Sequence, residues 1–149
     1  MTEIWFYHLQ RQSLEAVLPA LLEKVLAAGK RAVVMLGSEE RSEAVNNLLW
    51  TYNDRGFLPH GSARDGFPSE QPIWLTTNDE NPNNSEILVL TEGARSAHLD
   101  RYQRCLELFD GNDAEAVASA RLRWKSYKEA GHDVAYWQQD ARGRWERKG

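Results

Sequence analysis

The cationic side chains Arg121, Lys125 and Lys128 are spaced to lie on one stripe of a helix. Positions i, i+4 and i+7 fall on one helical face, next to Val117 and the edge of Trp124. Cations beside an apolar and aromatic wall suit a peptide that is both acidic and apolar. The same pattern is also typical of a solvated basic face on a structural helix, which stays the alternative interpretation.

Charge is distributed unevenly along the 149 residues, whose net charge is −4. Residues 1–116 carry 10 basic and 18 acidic side chains, whereas residues 117–149 carry 8 basic and 4 acidic ones. The overall negative charge argues against direct nucleic-acid binding by the whole surface, because such binding rests on neutralising phosphates. We therefore expect an anionic partner to bind near the C-terminus.

Length and composition predict one globular domain over residues 1–149, with a C-terminal extension from about residue 133 to residue 149. No apolar run approaches the roughly 20 residues of a membrane span and no secretory leader is recognisable, which predicts a cytoplasmic protein without membrane contact. The lone cysteine cannot form an internal disulfide, and the four histidines lack metal-ligand spacing. Neither a metal nor a cofactor is expected.

Alternating strand and helix patterns indicate an α/β layered fold with a mostly parallel sheet. Apolar or β-forming runs predict strands at residues 4–9, 31–36, 73–76, 87–90 and 105–109. Helical periodicity covers residues 14–26 and 39–53, and Asn112 or Asp113 caps a last helix that ends at Gly131. The first strand, helix and second strand predict a right-handed βαβ unit.

Two segments leave alternatives open. Pro19 interrupts the first helical pattern, so that this helix either begins near Leu18 or kinks at the proline. The tail, residues 134–146, is compatible with a short hairpin and with an ordered extension.

Phosphate-binding loops are missing where an α/β fold would carry them. The segment after the first strand, residues 9–13, contains no glycine, and Gly37 after the second strand is followed by Glu39 and Glu40. Bound phosphates need bare backbone N–H groups without competing negative charge. The sequence therefore has neither a dinucleotide fingerprint nor a Walker loop.

Two pairs come nearest to a catalytic constellation, His60 with Ser62 and Cys105 with His98. The first pair lacks a nucleophile elbow and an acidic partner, and Cys105 lies in an apolar strand where packing is the more ordinary role. Both pairs are interpreted as structural. We predict no catalytic residues and no enzymatic activity.

A second surface is predicted around Trp50, which lies about 170° from the centre of the apolar stripe of its helix. Together with Phe57, Leu58 and Pro59 it forms a candidate exposed aromatic patch, the kind of surface that marks a protein interface. The alternative is that Trp50 folds under the following loop and covers a satellite core.

Several short motifs follow one another in an order that spans nearly the whole chain. They are Leu49-Trp50, Phe57-Leu58-Pro59-His60, Pro72-Ile73, Phe109-Asp110 and Ala120-Arg121-x-x-Trp124-Lys125-x-Tyr127-Lys128-x-x-Gly131. This combination resembles the chi subunit of the bacterial DNA polymerase III holoenzyme. The resemblance implies a Rossmann-like fold with helices on both faces of the sheet, in a non-enzymatic accessory protein.

The resemblance also implies two partners. Chi pairs with the psi subunit, which links it to the clamp loader, and holds the acidic, apolar C-terminal tail of single-stranded DNA-binding protein. By position, Trp50 and Phe57 match the aromatic residues of the psi surface, with Leu58 and Pro59 beside them.

The tail-binding helix of the family is matched by Arg121, Trp124 and Lys125, although Trp124 stands where other members can have tyrosine. Val117 and Lys128 join this site by helical geometry. No role is transferred to the residues after Trp137.

The resulting hypothesis is an adaptor whose two surfaces bind the tail and a psi-type partner. One alternative is a Rossmann-like small-ligand-binding protein or enzyme that lacks a glycine-rich loop. Another is direct binding of single strands through stacking on Trp124, Trp137 or Trp145.

Overall fold

One mixed sheet organises residues 2–51, 59–62 and 65–148, which the computed structural model describes. The helices are α1 (Leu14–Ala27), α2 (Glu39–Thr51) and α3 (Ala114–Glu129), with 3-10 turns at Pro68–Glu70 and Leu99–Arg101. The strands are β1 (Glu3–Leu9), β2 (Ala32–Met35), β3 (Gly61–Ser62), β4 (Ile73–Thr76), β5 (Ile87–Thr91), β6 (Arg104–Asp110), β7 (Asp133–Gln139) and β8 (Trp145–Arg147).

The strand order is β3-β4-β2-β5-β6-β1-β7-β8, and every neighbouring pair is parallel except β7 with β8. The predicted unit of β1, α1 and β2 is present, but β6 and β5 lie between its two strands. The chain leaves β1 toward β2 and leaves β6 in the other direction, toward β7. These opposite crossovers place α1 and α3 on opposite faces of the sheet.

Both faces of the sheet are covered, which explains why its strands are almost continuously apolar. In β1, Tyr7 and Leu9 contribute to the core under α1 and α2, whereas Ile4 and Phe6 contribute to the core under α3. The prediction of a Rossmann-like α/β layered fold with helices on both faces is confirmed. Among the described helices, none has the length and apolar character needed to cross a membrane.

The first helix begins at Leu14, so the predicted start near Leu18 is wrong. Ser13 is its N-cap and accepts a hydrogen bond from the Ala16 N–H at 3.3 Å. Pro19 lies inside the helix, where its missing N–H leaves only one intrahelical bond unmade. Burial of the apolar stripe compensates, because helices in proteins are stabilised chiefly by packing.

The tail forms a hairpin, and its first strand is also an inner strand of the sheet. β7 pairs with β1 on one side and with β8 on the other. Asp140 holds the turn, because its Oδ1 accepts hydrogen bonds from the N–H groups of Arg142 at 2.8 Å and Arg144 at 2.9 Å. The hairpin alternative is therefore confirmed, and the tail adds two strands to the sheet.

A buried ion pair fixes α3 to β6. Glu107 and Arg123 are 1% and 4% exposed, and Nε of Arg123 lies 2.9 Å from a Glu107 carboxylate oxygen. The Tyr127 hydroxyl donates to the same oxygen at 3.1 Å, and Arg123 also donates to Ser119 Oγ at 2.6 Å. Burial raises the pKa of Glu107, while the charge of Arg123 opposes that shift. The pair sets the rotation of α3 about its own axis.

Removing either partner of this pair will leave an uncompensated buried charge. We expect Glu107→Leu and Arg123→Leu each to lower the free energy of unfolding by about 3–5 kcal/mol, and the double variant to lose less than the sum. Urea unfolding followed by circular dichroism measures all three values. Losses that simply add would contradict a coupled buried pair.

Candidate functional site

The last helix, α3, carries the predicted cationic stripe. Asp113 caps its first turn, because its Oδ1 accepts from the N–H groups of Glu115 at 3.0 Å and Ala116 at 3.4 Å. The helix then packs over the sheet between β6 and β7 and buries Ala120 and Arg123. This anchoring turns the neighbouring positions on the helix outward.

All three predicted cations, Arg121, Lys125 and Lys128, are exposed on α3. Within the described ranges no carboxylate lies at ion-pair distance from any of them. Arg41 and Arg104 differ, since both pair with glutamates. The structure therefore brings the stripe together as an exposed cationic surface.

An aromatic wall borders this stripe. Trp124 is half-buried, with its ring centroid 5.8 Å from those of both Phe6 and Tyr136. The Lys128 ammonium lies 5.2 Å from the Trp124 ring centroid, within cation–π range. Val117, also half-buried, packs against the same core. Helical spacing places Val117, Arg121 and Lys128 on the same flank of α3 as Trp124, toward β7, and Lys125 on the outer side next to them.

Sequence reasoning missed two residues beside this flank, His8 and Tyr136. Nδ1 of His8 is hydrogen-bonded to the Tyr136 hydroxyl, and both residues interact electrostatically with Arg121. Burial chiefly lowers the pKa of His8, the Gly111 backbone opposes this, and Arg121 adds to it. The shift favours the uncharged imidazole, so Arg121 is the main source of positive charge at this place.

Packing around His8 is tight. Gly111, in the turn before α3, has no room for a side chain, because a Cβ there would overlap the His8 ring. The Gly111 N–H donates to the Leu9 carbonyl at 2.6 Å. Strand alternation in β1 places His8 on the same face as Phe6, but its partner Tyr136 lies in a segment that the sequence left undecided between a hairpin and an ordered extension.

The second predicted surface is only partly described. Trp50 is 53% exposed at the end of α2, and its ring centroid lies 5.0 Å from that of the buried His60. Pro59 is half-buried, while Phe57 and Leu58 lie outside the described residues. The prediction that Trp50 points away from the sheet is confirmed.

Phe67 is a further exposed aromatic residue that sequence reasoning did not identify. It follows β3, is 71% exposed and has a φ of 51°, in the left-handed region that non-glycine residues seldom adopt. The Gln71 amide holds the preceding residue by donating to the Gly66 carbonyl at 3.2 Å. A clear signal was available in Gly66-Phe67-Pro68, a turn sequence that contains a large apolar residue.

The two surfaces lie far apart on the molecule. The α2 helix packs on the face shared with α1 and contacts β3 and β4, at one end of the sheet. The α3 helix packs on the other face and contacts β6 and β7, toward the other end. A partner on one surface leaves the other uncovered.

A cleft of about 710 Å³ opens at the carboxyl ends of β1 and β6. Open α/β sheets commonly bind ligands at such a place, where neighbouring strands lead in opposite directions. Arg41 lines the cleft but pairs with Glu15 and, at 2.8 Å, with Glu92. Asp113 and Glu115 add further negative charge to the lining. Arg11 and Arg123 also line the cleft, but five carboxylates against three arginines leave the lining net negative. This balance does not favour a phosphate-bearing ligand.

The candidate pair of Cys105 and His98 does not form a reactive arrangement. Cys105 is completely buried, whereas the His98 side chain is 46% exposed. Burial raises the pKa of Cys105 well above its usual value, so that it stays a thiol. Among the described residues no cluster of three or more His, Cys, Asp or Glu side chains could hold a metal ion.

Because Cys105 is protonated and inaccessible, it will react slowly with thiol reagents. We expect the folded protein to react with an aromatic disulfide reagent at least about two orders of magnitude more slowly than the urea-unfolded chain. Absorbance of the released thiolate measures both rates. Rapid reaction in the folded state would indicate an accessible, activated thiol.

Comparison with known proteins gives consistent matches. Residues 1–135 match the protein family described as DNA polymerase III chi subunit, HolC. A probable DNA polymerase III subunit chi of Rickettsia prowazekii is 29% identical over 109 residues, which are 73% of this chain and 66% of that protein. The DNA polymerase III subunit chi of Pseudomonas aeruginosa is 23% identical over 137 residues, 90% of this chain and 94% of that protein. The chain thus spans just under two thirds of the Rickettsia protein.

Proposed function

The chain belongs to the family of DNA polymerase III chi subunits, and on this premise we propose that it is a non-catalytic accessory subunit of DNA replication. In this role it binds the acidic C-terminal tail of single-stranded DNA-binding protein. A psi-type partner on the Trp50 surface then connects it to the clamp loader.

The exposed cationic stripe on α3 carries the proposal. Its three cations have no carboxylate partners among the described residues, and they border the half-buried ring of Trp124. An acidic peptide that ends in an aromatic residue complements both properties. Trp124 also packs on the core, and the part of its ring that the core leaves uncovered is the surface proposed for that aromatic residue.

Arg121 is the residue proposed to bind the terminal carboxylate, because the planar guanidinium can donate to both oxygens. The peptide's last ring then lies against Trp124 and Val117, and its upstream carboxylates approach Lys125 and Lys128. A few ordered peptide residues bury less area than a standard interface, so the dissociation constant is expected to be about micromolar. Binding weakens as salt is added, because exposed charges are screened.

Loss of the Arg121 guanidinium will remove the bidentate contact. We expect Arg121→Ala to weaken binding of an acidic, phenylalanine-terminated peptide at least about tenfold, and Lys125→Ala to weaken it less. Isothermal titration calorimetry measures both constants. Lys24→Ala is the matched control, since this exposed lysine lies on α1, on the opposite face.

The control variant should bind like the wild type and all variants should unfold at unchanged urea concentrations. Wild-type affinity in Arg121→Ala would refute the site. Amidation of the peptide's terminal carboxylate gives an independent test and should reproduce the loss seen in Arg121→Ala.

The Trp50 surface supports the second half of the proposal. Trp50 keeps half of its surface exposed although its ring packs at a tilt against the buried His60, and Pro59 precedes His60 in the chain. Large exposed aromatic side chains are the usual anchors of protein interfaces. We propose that Trp50, Phe57, Leu58 and Pro59 form the psi-type contact.

Truncating Trp50 will remove the largest anchor of that contact. We expect Trp50→Ala to reduce capture of a psi subunit at least about tenfold without changing peptide binding at α3. Quantitative pull-down with purified psi measures the first effect and calorimetry the second. Leu122→Ala, which removes another exposed apolar side chain, is the control and should leave psi capture unchanged. Undiminished capture by Trp50→Ala would argue against this surface.

A further inference from the structure

The β7–β8 hairpin has one face that α3 leaves partly uncovered. β7 lies next to β1, and β8 forms the edge of the sheet beyond it. The α3 helix connects β6 to β7 by crossing over β1, and it packs on β6 and β7. It therefore does not cover β8, which lies one strand farther out. Tyr136 and Gln138 are only half-buried there, although both lie on the α3 face of β7.

Strand register determines which tail residues share that face. Gln138 is opposite Glu146, and the Lys148 N–H donates to the Tyr136 carbonyl at 2.6 Å. The Asp140 N–H donates to the Arg144 carbonyl at 2.8 Å, so this pair closes the hairpin. Residues opposite one another point to the same side of a sheet. Three alternate residues therefore line the α3 face of the edge: Arg144, Glu146 and Lys148.

The opposite face anchors the hairpin. Trp145 packs edge-on against Tyr7 with ring centroids 4.9 Å apart, and Trp137 lies 5.4 Å from Trp5. Arg147 points to this second face, because it is opposite Trp137. The strand is thus held in place by aromatic packing behind it, while Arg144, Glu146 and Lys148 are on the side of α3.

The partly uncovered strip of β7 between α3 and β8 is called the groove below. One wall is the flank of α3 with Arg121 and Trp124, and the floor contains Tyr136, whose ring centroid lies 5.8 Å from that of Trp124. The far wall carries Arg144 and Lys148, both exposed. The family match ends at residue 135, so this far wall comes from residues beyond it.

We propose that Arg144 and Lys148 form a second cationic wall that binds the acidic residues upstream of the peptide's terminus. This inference rests on the proposed function, since it assigns a longer footprint to the same peptide. Charge complementarity identifies the occupant. Of the five cations proposed to meet the peptide, four have no carboxylate partner among the described residues: Arg121, Lys125, Lys128 and Arg144. The fifth, Lys148, pairs with Glu146 at 3.0 Å.

Geometry sets the length of the added footprint. Arg144 and Lys148 flank β8 on either side and are four residues apart, so their Cα atoms lie about 13 Å apart if the extended backbone continues through both. An extended peptide covers that distance with about four residues. Between them, the Glu146 carboxylate competes with the peptide for Lys148. Its removal should therefore strengthen binding.

The test compares two adjacent charge reversals. We expect Lys148→Glu to weaken binding of a long acidic peptide ending in phenylalanine by about threefold to tenfold, the effect of one exposed charge pair lost and one repulsion gained. Arg147→Glu makes the same change in net charge on the other face and should alter the constant less than about twofold. Calorimetry in low salt gives both values.

A short peptide and a gain-of-function variant complete the design. Lys148→Glu should leave binding of a peptide about four residues shorter, with the same terminus, nearly unchanged. Glu146→Gln should strengthen binding of the long peptide by about twofold to threefold, a result that misfolding cannot produce.

The outcomes separate this proposal from the one on which it depends. If Arg121→Ala abolishes binding but Lys148→Glu and Arg147→Glu behave alike, the far wall is refuted and the tail-binding function stands. If the wild type binds neither peptide, the tail-binding function itself fails. Equal loss of the long and the short peptide in Lys148→Glu would also overturn the second wall.

Discussion

The ion pair between Glu107 and Arg123 is the constraint on which the presentation of α3 depends. Two charges that are almost completely buried require each other, because either alone would pay a large desolvation cost. Their bond fixes one side of α3 against β6, and helical periodicity then dictates that Arg121 and Lys125 point to solvent. The exposed chemistry of this helix is therefore a consequence of the charge that it buries.

The order of the strands converts this local arrangement into two independent surfaces. β1 lies inside the sheet between β6 and β7, and α3 connects these two strands by crossing over β1. The α2 helix lies on the other face, near β3 and β4. The Trp50 surface and the α3 flank consequently face different directions. Such a separation suits a protein that connects two others, since neither contact obstructs the other.

Local patterns predicted much of the fold and the exposed half of the candidate site. The apolar runs of β2 and β5 and the spacing of Arg121, Lys125 and Lys128 are properties of short segments, and the structure agrees with them. The other features depend on distant residues. In the sequence, Arg123 cannot be distinguished from the exposed cations around it, because its burial depends on Glu107 in β6. Similarly, β7 is an inner strand only because it pairs with β1. Likewise, no local signal connects His8 with Tyr136.

The close approach of Gly111 to His8 links the entry of α3 to the surface beside it. Gly111 lies against the His8 imidazole, which is hydrogen-bonded to the Tyr136 hydroxyl, and the Tyr136 ring packs against Trp124. Any side chain added at this turn would displace the ring, and the displacement would pass through these contacts to the aromatic wall. A substitution at position 111 is therefore expected to alter the surface around Trp124, although Gly111 itself does not contact Trp124.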